Sequence, residues 1–151
     1  MNDPRRRSPM VLRIERTFPA PAQAVFDAWT SEEVLRRWWH PGADWETPHA
    51  EVDLRIGGIF RVAMRNPRDG AEHSGGGEFT EIDPPNRLAF TWVWDDTPDQ
   101  RQLVEVEFSE RDGVTTVVMV NSGLPDEETK NSHRDGWLKS FDNLDGVLEA
   151  T

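Results

Sequence analysis

Leu124-Pro-Asp-Glu-Glu-Thr-Lys-Asn-Ser-His-Arg-Asp-Gly-Trp-Leu-Lys-Ser-Phe-Asp-Asn-Leu-Asp-Gly-Val-Leu148 reads as one long, one-sided helix that follows a series of strands. Trp137, Phe141, Leu144 and Leu148 recur at steps of four, three and four, so they share a stripe, while Lys139, Asp142, Asp145 and Glu149 face water. Pro125 and the acidic run Asp126-Glu127-Glu128 suit a first turn: proline lacks an amide the helix would not use there, and carboxylates favour the positive end of the dipole. A helix from Asp126 to Glu149 would be roughly 36 Å long, enough to cross an entire sheet. Its stripe must be buried against something.

The upstream sequence supplies that surface. Met10 to Phe18 alternates, with Leu12, Ile14 and Phe18 on one face, as in a half-buried strand. Pro19 and Pro21 end it. Pro21 opens a short helix carrying Val25, Ala28 and Trp29 inward, and Ser31 caps a second with Val34, Leu35 and Trp38 inward, ending at Trp39-His40-Pro41-Gly42. Strands then follow. Ala43 to Leu54 alternates loosely, and after the Gly57-Gly58 turn Phe60, Val62 and Met64 alternate with Arg61 and Arg65. Glu78 to Ile82 reads as a further strand, preceded at Gly75-Gly76-Gly77 by a flexible hairpin or bulge. Leu88, Phe90, Trp92 and Trp94 alternate with Ala89, Thr91 and Val93. Val104, Val106 and Phe108 alternate with Glu105 and Glu107, and Arg111-Asp112-Gly113 turns the chain into Val114 to Val120.

This order predicts an α+β fold: a curved antiparallel sheet of six to seven strands around a long C-terminal helix, with two short helices after strand one. One sheet face stays wet, at Arg61, Glu105 and Glu107, and the other must be covered by the terminal helix. At 151 residues the prior is one domain, here residues 10–151, after a disordered N-terminal tail over residues 1–9.

Bulk composition removes several function classes. No apolar run approaches the roughly 20 residues of a membrane span, so no membrane partner is expected. The net charge of −11 opposes nucleic acid, the one basic cluster being Arg5-Arg6-Arg7 in the tail. That tail has no apolar segment after its arginines to act as a secretory signal, which makes cytoplasmic residence the default. Cysteine is absent, excluding disulfides and thiol chemistry.

The stretches Ala22–Trp29 (AQAVFDAW), Leu35–Pro41 (LRRWWHP), Asp53–Phe60 (DLRIGGIF), Glu81–Trp92 (EIDPPNRLAFTW) and His133–Trp137 (HRDGW) carry a resemblance. Together they closely resemble the family of homologues of the activator of the ninety-kilodalton heat-shock-protein ATPase, in the START-like (SRPBCC) superfamily. The resemblance covers Val11 to Leu148 and implies the helix-grip fold of the birch pollen allergen. That superfamily contains lipid and hormone carriers, aromatase and cyclase enzymes and co-chaperone domains, so it implies a cavity and leaves the chemistry open. The eukaryotic co-chaperone is similar only in its C-terminal domain. The resemblance implies histidine where this chain has Asn121, so it carries no acid–base role to that position.

Chemistry-bearing residues are sparse. His40, His49, His73 and His133 show no metal-ligand spacing, so no metal and no cofactor is expected. His40 reads as the anchor of its turn, and His133, four residues before Trp137, as bordering the helix stripe. Ser122 and Ser132 lack a nucleophile elbow, and Gly75-Gly76-Gly77 lacks the lysine and helix of a phosphate loop. Asp53 and Glu78 read as solvated carboxylates, and no catalytic residue is assigned. Phe60, Met64, Phe90, Trp92, Trp94, Val106, Met119, Asn121, Trp137 and Phe141 would line the space between sheet and helix. They are the candidate binding residues for an apolar or aromatic small molecule. The alternatives are a cyclase or hydratase acting on such a ligand, or a module that regulates a chaperone partner through an exposed apolar patch.

Overall fold

The computed structural model describes residues 10–149; the tail expected over residues 1–9 lies outside them. The elements are β1 (Met10–Phe18), α1 (Ala22–Thr30), α2 (Glu32–Trp38), β2 (Glu46–Val52), β3 (Ile59–Arg65), β4 (Glu72–Asp83), β5 (Arg87–Trp94), β6 (Gln102–Arg111), β7 (Val114–Leu124) and α3 (Glu127–Glu149). All strands form one seven-stranded sheet in the order β1-β7-β6-β5-β4-β3-β2, with antiparallel neighbours throughout. This is a helix-grip-like α+β fold. The β6–β7 hairpin turns on Asp112 and Gly113, both at positive φ as a tight primed turn requires.

Local chemistry explains the helix boundaries. Ser31 Oγ accepts the Val34 amide (3.3 Å), capping α2 where α1 ends. Asp126 stands just outside α3 as its cap, its Oδ1 accepting the Thr129 amide at 2.7 Å. That bond holds the Asp126 carboxyl below the usual aspartate range.

Alternation puts Leu12, Ile14 and Phe18 of β1, Phe60 and Val62 of β3, Val104, Val106 and Phe108 of β6, and Val117 and Met119 of β7 into the core. Phe141, Leu144 and Leu148 of α3 close it, Phe141 meeting Phe18 edge-on at 5.7 Å. On the opposite face Arg87 is ringed by Glu81, Glu105 and Glu107. Trp137, expected on the buried stripe with Phe141, is only partly buried. The helix lies nearest β1, β7, α1 and α2, and its first turns reach β5 through side chains.

The glycine run is the main correction. Gly75, Gly76 and Gly77 lie within β4, paired with Val62, Arg61 and Phe60 of β3, not in a hairpin. A Cβ at Gly75 would fall 2.6 Å from Trp92 Cζ2, and one at Gly77 2.0 Å from the Thr91 carbonyl oxygen. Glycine is present because a neighbouring ring and backbone occupy the side-chain space, a close approach that turn propensity cannot reveal.

Two stability outcomes follow from this packing. Phe141→Ala should cost about 3–5 kcal/mol, the range for deleting a buried large aromatic, and Trp137→Ala clearly less. Equal losses in denaturant unfolding would contradict the placement of Trp137 at a partly open surface. Gly75→Ala should cost about 1–3 kcal/mol by forcing the Trp92 ring aside, which near-ultraviolet circular dichroism would register as a changed tryptophan signal; an unchanged spectrum would contradict the contact.

Candidate functional site

A cleft of about 1060 Å³ opens between the N-terminal half of α3, the β3–β4 end of the sheet, β5 and the turn after it, the start of β6, the end of β7, and the segment after α2. Trp39, Trp45, Trp92, Trp94 and Trp137 form its aromatic walls. Trp39 packs against Trp92 at 5.5 Å and Trp137 at 5.0 Å, and Trp92 meets Trp94 edge-on at 5.1 Å. Trp45 lies over His73, ring centroids 5.8 Å apart.

The inner wall carries a hydrogen-bond chain whose direction two indoles dictate. Trp137 Nε1–H donates to Asn121 Oδ1 at 3.3 Å. Indole nitrogen can only donate, so the Asn121 oxygen must face it and the Asn121 amide must point the other way, to Gln102 Oε1 at 3.0 Å. Asn121 Oδ1 also accepts from His133 Nδ1–H at 3.2 Å, which leaves His133 Nε2 as the acceptor for Trp94 Nε1–H at 3.4 Å. Every member therefore has an assigned role except one. Gln102 Nε2, in a side chain 2% exposed, has no acceptor among the described residues.

This chain defines what His133 can do. Burial pushes its pKa below the ordinary histidine value. A second proton on Nε2 would confront the Trp94 N–H, donor against donor, so His133 is held as the neutral Nδ1–H tautomer.

His40 is also depressed by burial, with Asp44 opposing the shift. Its Nδ1 lies 2.9 Å from Thr47 Oγ1, and the Thr47 hydroxyl donates to the Trp39 carbonyl at 2.7 Å. The His40 carbonyl in turn accepts Ser140 Oγ–H at 2.9 Å and Asn143 Nδ2–H at 3.0 Å. His40 thus pins the end of α2 to β2 and α3.

Of the residues expected to line the space, Met64, Trp92, Trp94, Asn121 and Trp137 border the cleft. Phe60, Phe90, Val106, Met119 and Phe141 lie in the close-packed core beside it, each fully buried. Phe60 and Phe90 stack on each other at 4.6 Å. Asp53 and Glu78 are exposed and away from the cleft, Asp53 paired with Arg55 at 2.7 Å. Trp39, Trp45 and Gln102 were not expected at this site. Gln102 was detectable: it shares the inward parity of Val104, Val106 and Phe108, so a polar side chain had to enter the concave face. Trp39 and Trp45 lie in irregular chain after α2, where no periodicity sets a direction.

Comparison with known proteins agrees with this architecture. The sequence pattern of the family described as "Activator of Hsp90 ATPase homolog 1-like protein" matches residues 19–149. The chain belongs to this family, and through it to the SRPBCC superfamily. The AHSA1 protein of Silicibacter pomeroyi is 26% identical over 93% of this chain and 99% of its own, with a TM-score of 0.82. An AHSA1-like protein of Aeromonas hydrophila is 31% identical over 93% of each chain, with a TM-score of 0.76. A Plasmodium falciparum Hsp90 activator is 25% identical, covering 93% of this chain and 96% of its own, with a TM-score of 0.73. No curated protein matches. No helix among the described residues is long and apolar enough to cross a membrane.

The two depressed histidines set a pH dependence. Each holds its proton less tightly folded than unfolded, so the unfolded chain binds more protons as pH falls past the ordinary value of 6.5. Their contribution to stability is therefore complete above that pH and is lost as pH drops towards the folded values. Urea unfolding at pH 7.5 and at pH 5.5 should show a larger loss for the parent protein than for His133→Gln. Equal losses would contradict a neutral His133.

Proposed function

We propose that the protein binds a hydrophobic or aromatic small molecule in the cleft between the sheet and α3. The observation that carries this reading is the set of tryptophans that remain partly open, Trp45, Trp94 and Trp137, backed by buried Trp39 and Trp92. Burying aromatic surface is worth roughly 25 cal/mol per Å², so folding alone would favour covering these rings. A ligand would cover them instead, with flat faces for stacking and indole N–H groups already engaged in orienting the wall.

A hydrolytic or cyclising reaction finds less support. The sole ionisable side chain in the hydrogen-bond chain is His133, whose nitrogens are engaged by Trp94 and Asn121 and by none of the carboxylates that border the cleft, and Asp53 and Glu78 lie away from it. An acid–base pair facing one substrate is what such a reaction would require.

Binding has two direct readouts. A neutral naphthalene probe such as 2-naphthylmethanol should quench tryptophan emission saturably and raise the melting temperature, the native state gaining about 2.7 kcal/mol at a hundredfold excess over Kd. Trp94→Ala should weaken that probe by about tenfold, or roughly 1.4 kcal/mol. Absence of both quenching and thermal shift across neutral and charged aromatic probes would refute the binding function.

A further inference from the structure

The walls of the cleft are aromatic, but its mouth is not neutral. Asp44, Glu72, Asp95, Asp96 and Asp135 border it against two cations, Arg68 and Lys139. Arg68 is occupied by Asp44 at 3.5 Å, and Asp95 is held in a two-point contact by Arg61 from the opposite sheet face. Glu72 stands across from Arg65 of β3, whose positive charge it helps to hold, which leaves Asp96 and Asp135 without ion-pair partners among the described residues at a border whose other cation is Lys139. His133, the histidine on the wall, is kept neutral by its neighbours and adds no positive charge.

We infer that the cleft selects a cationic aromatic ligand, with its ring system on the tryptophan wall and its ammonium group at the acidic mouth. This rests on the binding function proposed above and specifies the charge of the ligand. Indole faces attract cations as well as flat rings, so the wall and the mouth favour the same molecule. Low-dielectric walls focus the field of the carboxylates into the cleft, and the overall charge of −11 adds a long-range pull of the same sign. A carboxylate-bearing ligand would meet repulsion at the mouth. Independently, the orphaned amide donor of Gln102, 2% exposed, marks the inner wall as a polar position that a ligand acceptor could satisfy.

The test uses three naphthalenes of matched size on the full-length protein: 2-naphthylmethylamine, which is cationic at pH 7, neutral 2-naphthylmethanol and anionic 2-naphthoate. Tryptophan quenching at 20 mM salt should give the amine roughly five- to tenfold tighter binding than the alcohol and the naphthoate the weakest. The gap between amine and alcohol should shrink to under about twofold at 0.5 M salt, where charges are screened within a few ångströms. The isosteric double variant Asp96→Asn/Asp135→Asn should lose most of the preference for the amine while binding the alcohol within about twofold of the parent. Those results support the inference. Binding of the alcohol or naphthoate as tight as that of the amine would overturn it and leave the cleft a neutral binding site. A preference unchanged in the double variant would overturn its assignment to these carboxylates. If none of the three binds, the binding function itself falls, and the charge selection with it.

Discussion

The packing around Trp29 is the interaction on which the rest of the structure depends. This fully buried ring, placed by α1, contacts Trp38 at 5.0 Å and Trp39 at 5.9 Å from the α2 end, Phe108 at 6.4 Å on β6, and Trp137 at 5.7 Å and Phe141 at 6.0 Å on α3. Both short helices, the sheet and the terminal helix therefore meet on one side chain. Aromatic pairs contribute about 0.5–1.5 kcal/mol each beyond the area they bury, so several on one ring form a junction that tolerates little movement. The Trp29 N–H has no oxygen or nitrogen acceptor among the described residues, which costs about 1–3 kcal/mol. The apolar contacts around the ring must outweigh that cost.

From this junction α3 divides into two regimes. Towards its C-terminus, Phe141, Leu144 and Leu148 are sealed against β1 and its neighbours, and Arg16 of β1 reaches across to Asp142 at 2.8 Å. Towards its N-terminus the same helix presents His133 and Trp137 to a polar chain ending at Gln102. A close-packed half holds the helix in place while the other half borders the cleft. Along the cleft wall Trp92 lies across Gly75 of β4, and Trp39 packs edge-on against Trp137.

Much of the fold was legible in the sequence because periodicity is a strong signal where one face is buried. The alternation of β1, β3, β5 and β6 and the three-four stripe of α3 each assign an inward face without knowledge of the partner. Ser31 as a cap and Asp112-Gly113 as a turn are local chemistry, decided within a few residues. The glycines of β4 could not be read in this way. Their meaning lies in Trp92 and Thr91 on the neighbouring strand, so composition alone suggests a turn where the structure has a paired strand.

The candidate site divides along the same line. Sequence by itself determined which residues face inward, and so brought Met64, Trp92, Trp94, Asn121 and Trp137 to one side of the sheet and helix. Parity says nothing about depth. Only the tertiary structure decided that Phe60, Phe90, Val106, Met119 and Phe141 are sealed in the core while those five border open space, since depth depends on which other elements pack over each residue. Likewise the protonation state of His133 is not a property of its sequence neighbours. It is set by Trp94 and Asn121, brought from two different strands, because hydrogen-bond direction is fixed only once a donor and an acceptor stand within about 3 Å of each other.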